Sequence, residues 1–128
     1  MRQRTLAALA AATMGALVAQ QPAPKPETVV ITFHAKPGAE TELARVIEKH
    51  WTVAREMKLV HDSPHLTLRR VEEGNKVCFT DIFTWRDAAI PDKAPPAIQA
   101  IWEQMNQLVE ARGGDRGLAI ANVAIVSR

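Results

Sequence analysis

From Thr28 onward the spacing of apolar residues switches between two periods, and the order of the switches admits few folds. Thr28 to His34 (TVVITFH) is rich in β-branched residues and alternates, so it reads as a strand. Val29, Ile31 and Phe33 share one face; Val30, Thr32 and His34 share the other. Pro37-Gly38 ends the run. Glu40 and Glu42 suit the first turn of a helix, where acids meet the positive end of the dipole. Leu43, Val46, Ile47, Val53, Ala54 and Met57 then recur at helical spacing, and this helix must stop before Pro64. His65 to Val71 alternates again, Glu73-Gly74-Asn75 signals a turn, and Lys76 to Trp85 is the next strand. Pro95-Pro96 opens a second helix, with Ile98, Ile101, Trp102, Met105, Leu108 and Val109 on one side. Arg112-Gly113-Gly114 supplies its stop, and Leu118 to Val126 reads as a last strand.

The resulting order, βαββαβ, predicts an α+β, ferredoxin-like unit: a four-stranded antiparallel sheet with two helices on one face. The opposite face would carry Val30, Thr32, Cys78, Ile82, Ala121, Val123 and Ile125. That face is too apolar to stay wet, which predicts a homodimer through it. A two-residue turn would put Leu66, Leu68 and Arg70 beside Phe79, Asp81 and Phe83; a three-residue turn would reverse the faces.

The start of the chain reads as an address. Arg2 and Arg4 precede Leu6 to Ala19, 14 apolar or small residues, too short a run to span a bilayer. This is the make-up of a secretory signal peptide over residues 1–19. Residues 20–27 (QQPAPKPE) hold three prolines and read as an extended linker, leaving 28–128 as the folded unit. The expected location is therefore periplasmic or secreted, with no stable membrane insertion after cleavage. The whole chain has 16 Lys plus Arg against 14 Asp plus Glu; without Arg2 and Arg4 the balance is 14 against 14. A neutral mature chain is not expected to bind nucleic acid by bulk charge. Cys78 stands alone, which excludes an internal disulfide, and no tyrosine is available as a phenol.

Two polar residues interrupt apolar faces. His50 falls between Val46, Ile47, Ala54 and Met57 in the stripe of the first helix. Asp81 interrupts Val77, Phe79, Phe83 and Trp85 on the third strand. A buried carboxylate needs a partner, and His50 or Arg70 could supply one. A His50–Asp81 pair reads either as a satisfied contact that fixes the helix or as a dyad in which Asp81 orients the imidazole. Phe33, Phe79, Trp85 and Trp102 could line an apolar pocket around it, with Asn122 at its edge. His61 and His65 are four apart, but Pro64 keeps an uninterrupted helix from presenting both, and no metal motif is expected. His34 reads as a surface or interface residue, and Cys78 as a small buried one.

The segments VVITFHAKPGAETEL (29–43), FTDIFTWRDAA (79–89) and AIWEQMNQLVE (100–110) resemble the antibiotic biosynthesis monooxygenase family. The resemblance covers nearly all of the folded unit. It implies a dimeric α/β barrel, in which two sheets pack together and a pocket lies between each sheet and its helices. It also implies a candidate cofactor-independent oxygenase for a small aromatic or quinol-type compound, with no bound cofactor. In that reading His50 removes a proton from a phenol-like substrate, and the electron-rich anion reacts with dioxygen. Haem-degrading relatives use an Asn on the first strand and a His on the second helix; residues 28–34 contain no Asn, and no His follows His65. The alternative is a non-catalytic ligand-binding or stress-related dimeric module.

Overall fold

The two helical stripes become two helices on the same side of one sheet. The computed structural model describes residues 22–128. The expected leader, 1–19, and the first two linker residues lie outside the described residues. Residues 22–26 are exposed and without regular structure. Strand β1 spans Glu27–His34, helix α1 Glu40–Glu56, strand β2 Val60–Glu72, strand β3 Lys76–Trp85, helix α2 Pro96–Gln107 and strand β4 Leu118–Val123. The sheet order is β2-β3-β1-β4, antiparallel throughout, so the chain has the expected ferredoxin-like topology.

Alternation sets the core. Val29, Ile31 and Phe33 of β1 and Val77, Phe79, Phe83 and Trp85 of β3 point at the helices and are buried. Leu43, Val46, Ile47, His50, Trp51 and Ala54 of α1 cover them, together with Ile98, Ile101 and Met105 of α2. Trp51 completes the α1 stripe, whereas Met57 at the expected end of it is exposed. Acidic Glu40 and Glu42 lie in the first turn of α1 and Arg55 in the last, each favourable for the helix dipole.

The largest departure from the sequence reading is the β2–β3 connection. It is a three-residue 3-10 turn, Glu73–Asn75, with Gly74 at φ 78° and Asn75 at φ 59°. Both are left-handed, a region that glycine and asparagine enter most readily. The extra residue reverses the faces of β2: Thr67 pairs with Asp81, His65 with Phe83, and Arg70 with Cys78. Leu66 and Leu68 therefore join Ile82 and Thr80 on the face away from the helices.

Three boundaries also differ. Strand β2 begins at Val60, not His65, with a register irregularity before His65; Pro64 is accommodated because β2 is an edge strand. Helix α2 ends at Gln107, and Leu108 and Val109 leave it to meet the end of β1. There the Lys36 N–H donates to Leu108 O at 2.9 Å, and the Glu110 N–H donates to His34 O at 2.9 Å. Strand β4 stops at Val123 rather than Val126, because Val123 already pairs with Thr28 near the start of β1.

Candidate functional site

The helices do not cover the sheet evenly. β4 is an edge strand, and its helix-side residue Ile120 stays 63% exposed although it pairs with buried Ile31. The gap between β4, β1 and α2 is a cavity of about 320 Å³. Phe33 and Ile31 of β1 form its floor, Leu118, Ile120 and Asn122 of β4 one wall, and Trp102, Met105 and Asn106 of α2 the other. Trp85 of β3 and His50 of α1 close the inner end.

His50 is a polar group set deep in this apolar lining. It is 1% exposed, with its ring 5.6 Å from that of Phe83, 5.9 Å from Trp85 and 6.3 Å from Trp102. The Trp102 indole N–H donates to His50 Nε2 at 2.9 Å. Accepting that bond requires an unprotonated Nε2, so the neutral ring carries its proton on Nδ1. Burial pushes the imidazole pKa down to about 4, because the charged form loses its hydration there. At neutral pH His50 is an uncharged acceptor facing the cavity.

Asp81 is not its partner. Both residues are buried on the helix side of the sheet, but each is engaged elsewhere. Thr67 Oγ1 donates to Asp81 Oδ1 at 2.8 Å, and His65 Nε2 lies 3.5 Å from the same oxygen. His65 in turn stacks on Trp51, with ring centroids 3.9 Å apart and planes 13° off parallel. Burial raises the Asp81 pKa; the Thr67 hydrogen bond and the His65 charge oppose that rise. The expected His50–Asp81 dyad is thus replaced by two separate contacts, His50–Trp102 and Asp81–Thr67–His65. The physical reason is the reversed face of β2, which brings Thr67 and His65 to the carboxylate.

The other expected site residues divide. Phe33, Trp85, Trp102 and Asn122 line the cavity with His50. Phe79 is a buried core residue that does not reach the cavity. Arg70 is on the opposite face of the sheet from Asp81, with its Nη2 3.5 Å from Cys78 Sγ and 3.5 Å from Glu72 Oε2. It therefore has no part in this pocket. His34, expected at a surface or an interface, is buried at the end of β1 within the single chain. The sequence reading missed the Trp102–His50 bond. It also missed Arg112, which donates to Val77 O at 3.1 Å, to Glu72 Oε1 at 3.0 Å and to Ala35 O. An arginine next to two glycines reads as a helix stop, and no local signal marks it as a clamp.

The geometry defines a class: a ferredoxin-like unit with an apolar cavity between sheet and helices. Solved structures of the antibiotic biosynthesis monooxygenase type share this fold. SnoaB, a cofactor-independent oxygenase from Streptomyces nogalater, superposes with a TM-score of 0.60 at 15% identity, over 80% of this chain and 95% of that one. An antibiotic biosynthesis monooxygenase-type protein from Bacteriodes thetaiotaomicron gives 0.57 at 14% identity, over 80% and 91%. Rv0793 from Mycobacterium tuberculosis gives 0.57 at 15% identity, over 81% and 98%. No family model matches the sequence, and neither does any curated protein. The chain has the antibiotic biosynthesis monooxygenase-like fold.

Proposed function

We propose that the protein is an exported, homodimeric, cofactor-independent oxygenase acting on a small aromatic or quinol-type compound. The observation that carries this reading is the single neutral imidazole, His50, at the inner end of an apolar cavity of about 320 Å³. A ring of two or three fused cycles suits a space of that size and lining. Such a substrate would displace Trp102 from His50 Nε2 and offer its own hydroxyl. Proton transfer then gives a phenolate beside an imidazolium. The paired anion favours the protonated ring, offsetting the burial that holds its pKa near 4. The electron-rich anion reduces dioxygen: one oxygen becomes a quinone carbonyl, and the other leaves as water with the hydrogen lost from the ring carbon and the hydroxyl proton returned from His50. All four electrons come from the substrate, so this stoichiometry closes without a bound redox group. The likeness to SnoaB supports the reading at the level of fold.

The dimer is supported by the outer sheet face. Leu66 pairs with Ile82, Ile82 with Val30, and Val30 with Ala121, so one apolar row crosses all four strands. Leu66 and Leu68 are each 49% exposed, a cost that a second copy would remove. Export is supported by the sequence of residues 1–19.

A second reading is favoured by the Trp102–His50 bond itself. It satisfies the one obvious base, as expected of a ligand-binding module without chemistry. One experiment separates the two. The purified protein is incubated with a panel of phenols and quinols under isotopically labelled dioxygen, and products are weighed by mass spectrometry. Label in a product that disappears in His50→Ala supports the oxygenase. Binding without label supports the module, and undiminished labelling in His50→Ala removes His50 from the mechanism.

A further inference from the structure

On the outer face of the sheet, at the hairpin end, three neighbouring strands each present one metal-ligating side chain. His34 of β1 stands opposite Cys78 of β3, and Glu72 of β2 lies diagonally beyond Cys78. Their ligand atoms all lie within 4.8 Å of one another. We propose that His34, Glu72 and Cys78 form a site for a borderline-soft divalent metal of the zinc type. The three would be protein ligands, leaving a fourth position for water.

The donor set fits such an ion. Imidazole nitrogen, thiolate and carboxylate are the groups that bind zinc, and hard cations such as magnesium or calcium do not select thiolates. Donors around a tetrahedral zinc stand roughly 3.5 Å apart, so the three need close by only about 1 Å. A second observation points to a missing ligand. His34 is 8% exposed, and its Nδ1 is buried with no hydrogen-bond partner among the described residues, an unusual cost for a polar atom. Nothing in the oxygenase reading uses this atom.

Two guanidinium groups share the neighbourhood, and they behave differently. Arg112 is fixed: its side chain is 11% exposed and holds Glu72 Oε1 at 3.0 Å. That bond leaves Glu72 Oε2 for the metal and orients it, the part an outer-shell partner plays in many metal sites. Arg70 is 63% exposed, and its contacts with Glu72 Oε2 and Cys78 Sγ are both at 3.5 Å. It occupies the entry without strong bonds and can swing into solvent. Burial keeps the Cys78 thiol protonated in the metal-free state; as the sulfur–metal bond forms, that proton leaves to solvent. Sequence spacing could not reveal the cluster, because positions 34, 72 and 78 meet only through strand pairing.

The test is a cobalt titration of the full chain after chelator treatment, read by absorption, with zinc as competitor. The expected result is one cobalt ion per chain, a thiolate-to-cobalt charge-transfer band in the near ultraviolet, and displacement by zinc. Cys78→Ser, close to isosteric, should abolish the band. His34→Ala and Glu72→Gln should weaken binding by about tenfold or more. Arg70→Ala, which removes the mobile competing charge, should tighten it. Absence of the band in the wild-type protein, or unchanged affinity in a folded His34→Ala variant, would overturn the site.

Discussion

The Trp102 indole N–H donates to His50 Nε2 at 2.9 Å, and this bond ties the two helices together at the inner end of the cavity. It also holds the imidazole neutral, since a hydrogen bond to the unprotonated nitrogen favours the uncharged form. Trp102→Phe keeps an aromatic ring and removes the donor. A buried acceptor left without a partner costs about 1–3 kcal/mol, so the variant should be less stable by that amount in denaturant unfolding. The His50 pKa should rise from about 4, and an NMR titration of its ring protons would register this.

The same burial gives the protein a pH-dependent stability. The His50 pKa is about 4 when folded and near 6.5 when free, so the folded state binds its proton less tightly. Its contribution is complete above 6.5 and is lost as pH falls toward 4. A depression of this size corresponds to roughly 3 kcal/mol over that window. Chemical denaturation at a series of pH values should show this loss in the wild type. His50→Gln, which has no proton to gain, should show a flatter curve between the same limits.

Asp81 acts in the opposite direction. Its folded pKa is raised above 3.8, chiefly by burial, so the stability it contributes is complete below 3.8 and lost as pH rises through the folded value. Asp81→Asn removes the charge and keeps an oxygen able to accept from Thr67. The variant should match or exceed the wild type in stability at neutral pH and fall behind it only in acid. A large loss at neutral pH would mean that the ionised carboxylate, held by His65, is the stabilising form.

The element order βαββαβ and both helices could be read from periodicity because burial on one face leaves a repeating trace. Strand β3, Lys76–Trp85, matched its expected limits, since Val77, Phe79, Phe83 and Trp85 keep the alternation on one face with Asp81 as its single polar member. The register of β2 could not be read, because Glu73-Gly74-Asn75 accommodates a turn of two or three residues and one residue reverses every side chain. That single ambiguity moved Arg70 out of the pocket and put Thr67 on Asp81. Placing His50 in the core needed only its helix stripe. Its partner depended on how α2 lies across α1, a tertiary relation that neither helix encodes alone. Strand β2 was legible only after Pro64, because proline reads as a break unless the strand is known to lie at a sheet edge.

The corrected register carries the last prediction. With Leu66 and Leu68 turned to the outer face, the row Leu66–Ile82–Val30–Ala121 forms the centre of the proposed dimer contact. A charge placed there would be buried against apolar atoms in a dimer, yet in a single copy it would stay in water, because both leucines are half exposed. Leu66→Glu combined with Leu68→Glu should therefore give a folded monomer in sedimentation velocity, whereas the wild type should sediment as a dimer. Circular dichroism should be unchanged, since neither side chain belongs to the core between sheet and helices. A variant that remains dimeric would place the contact on another surface.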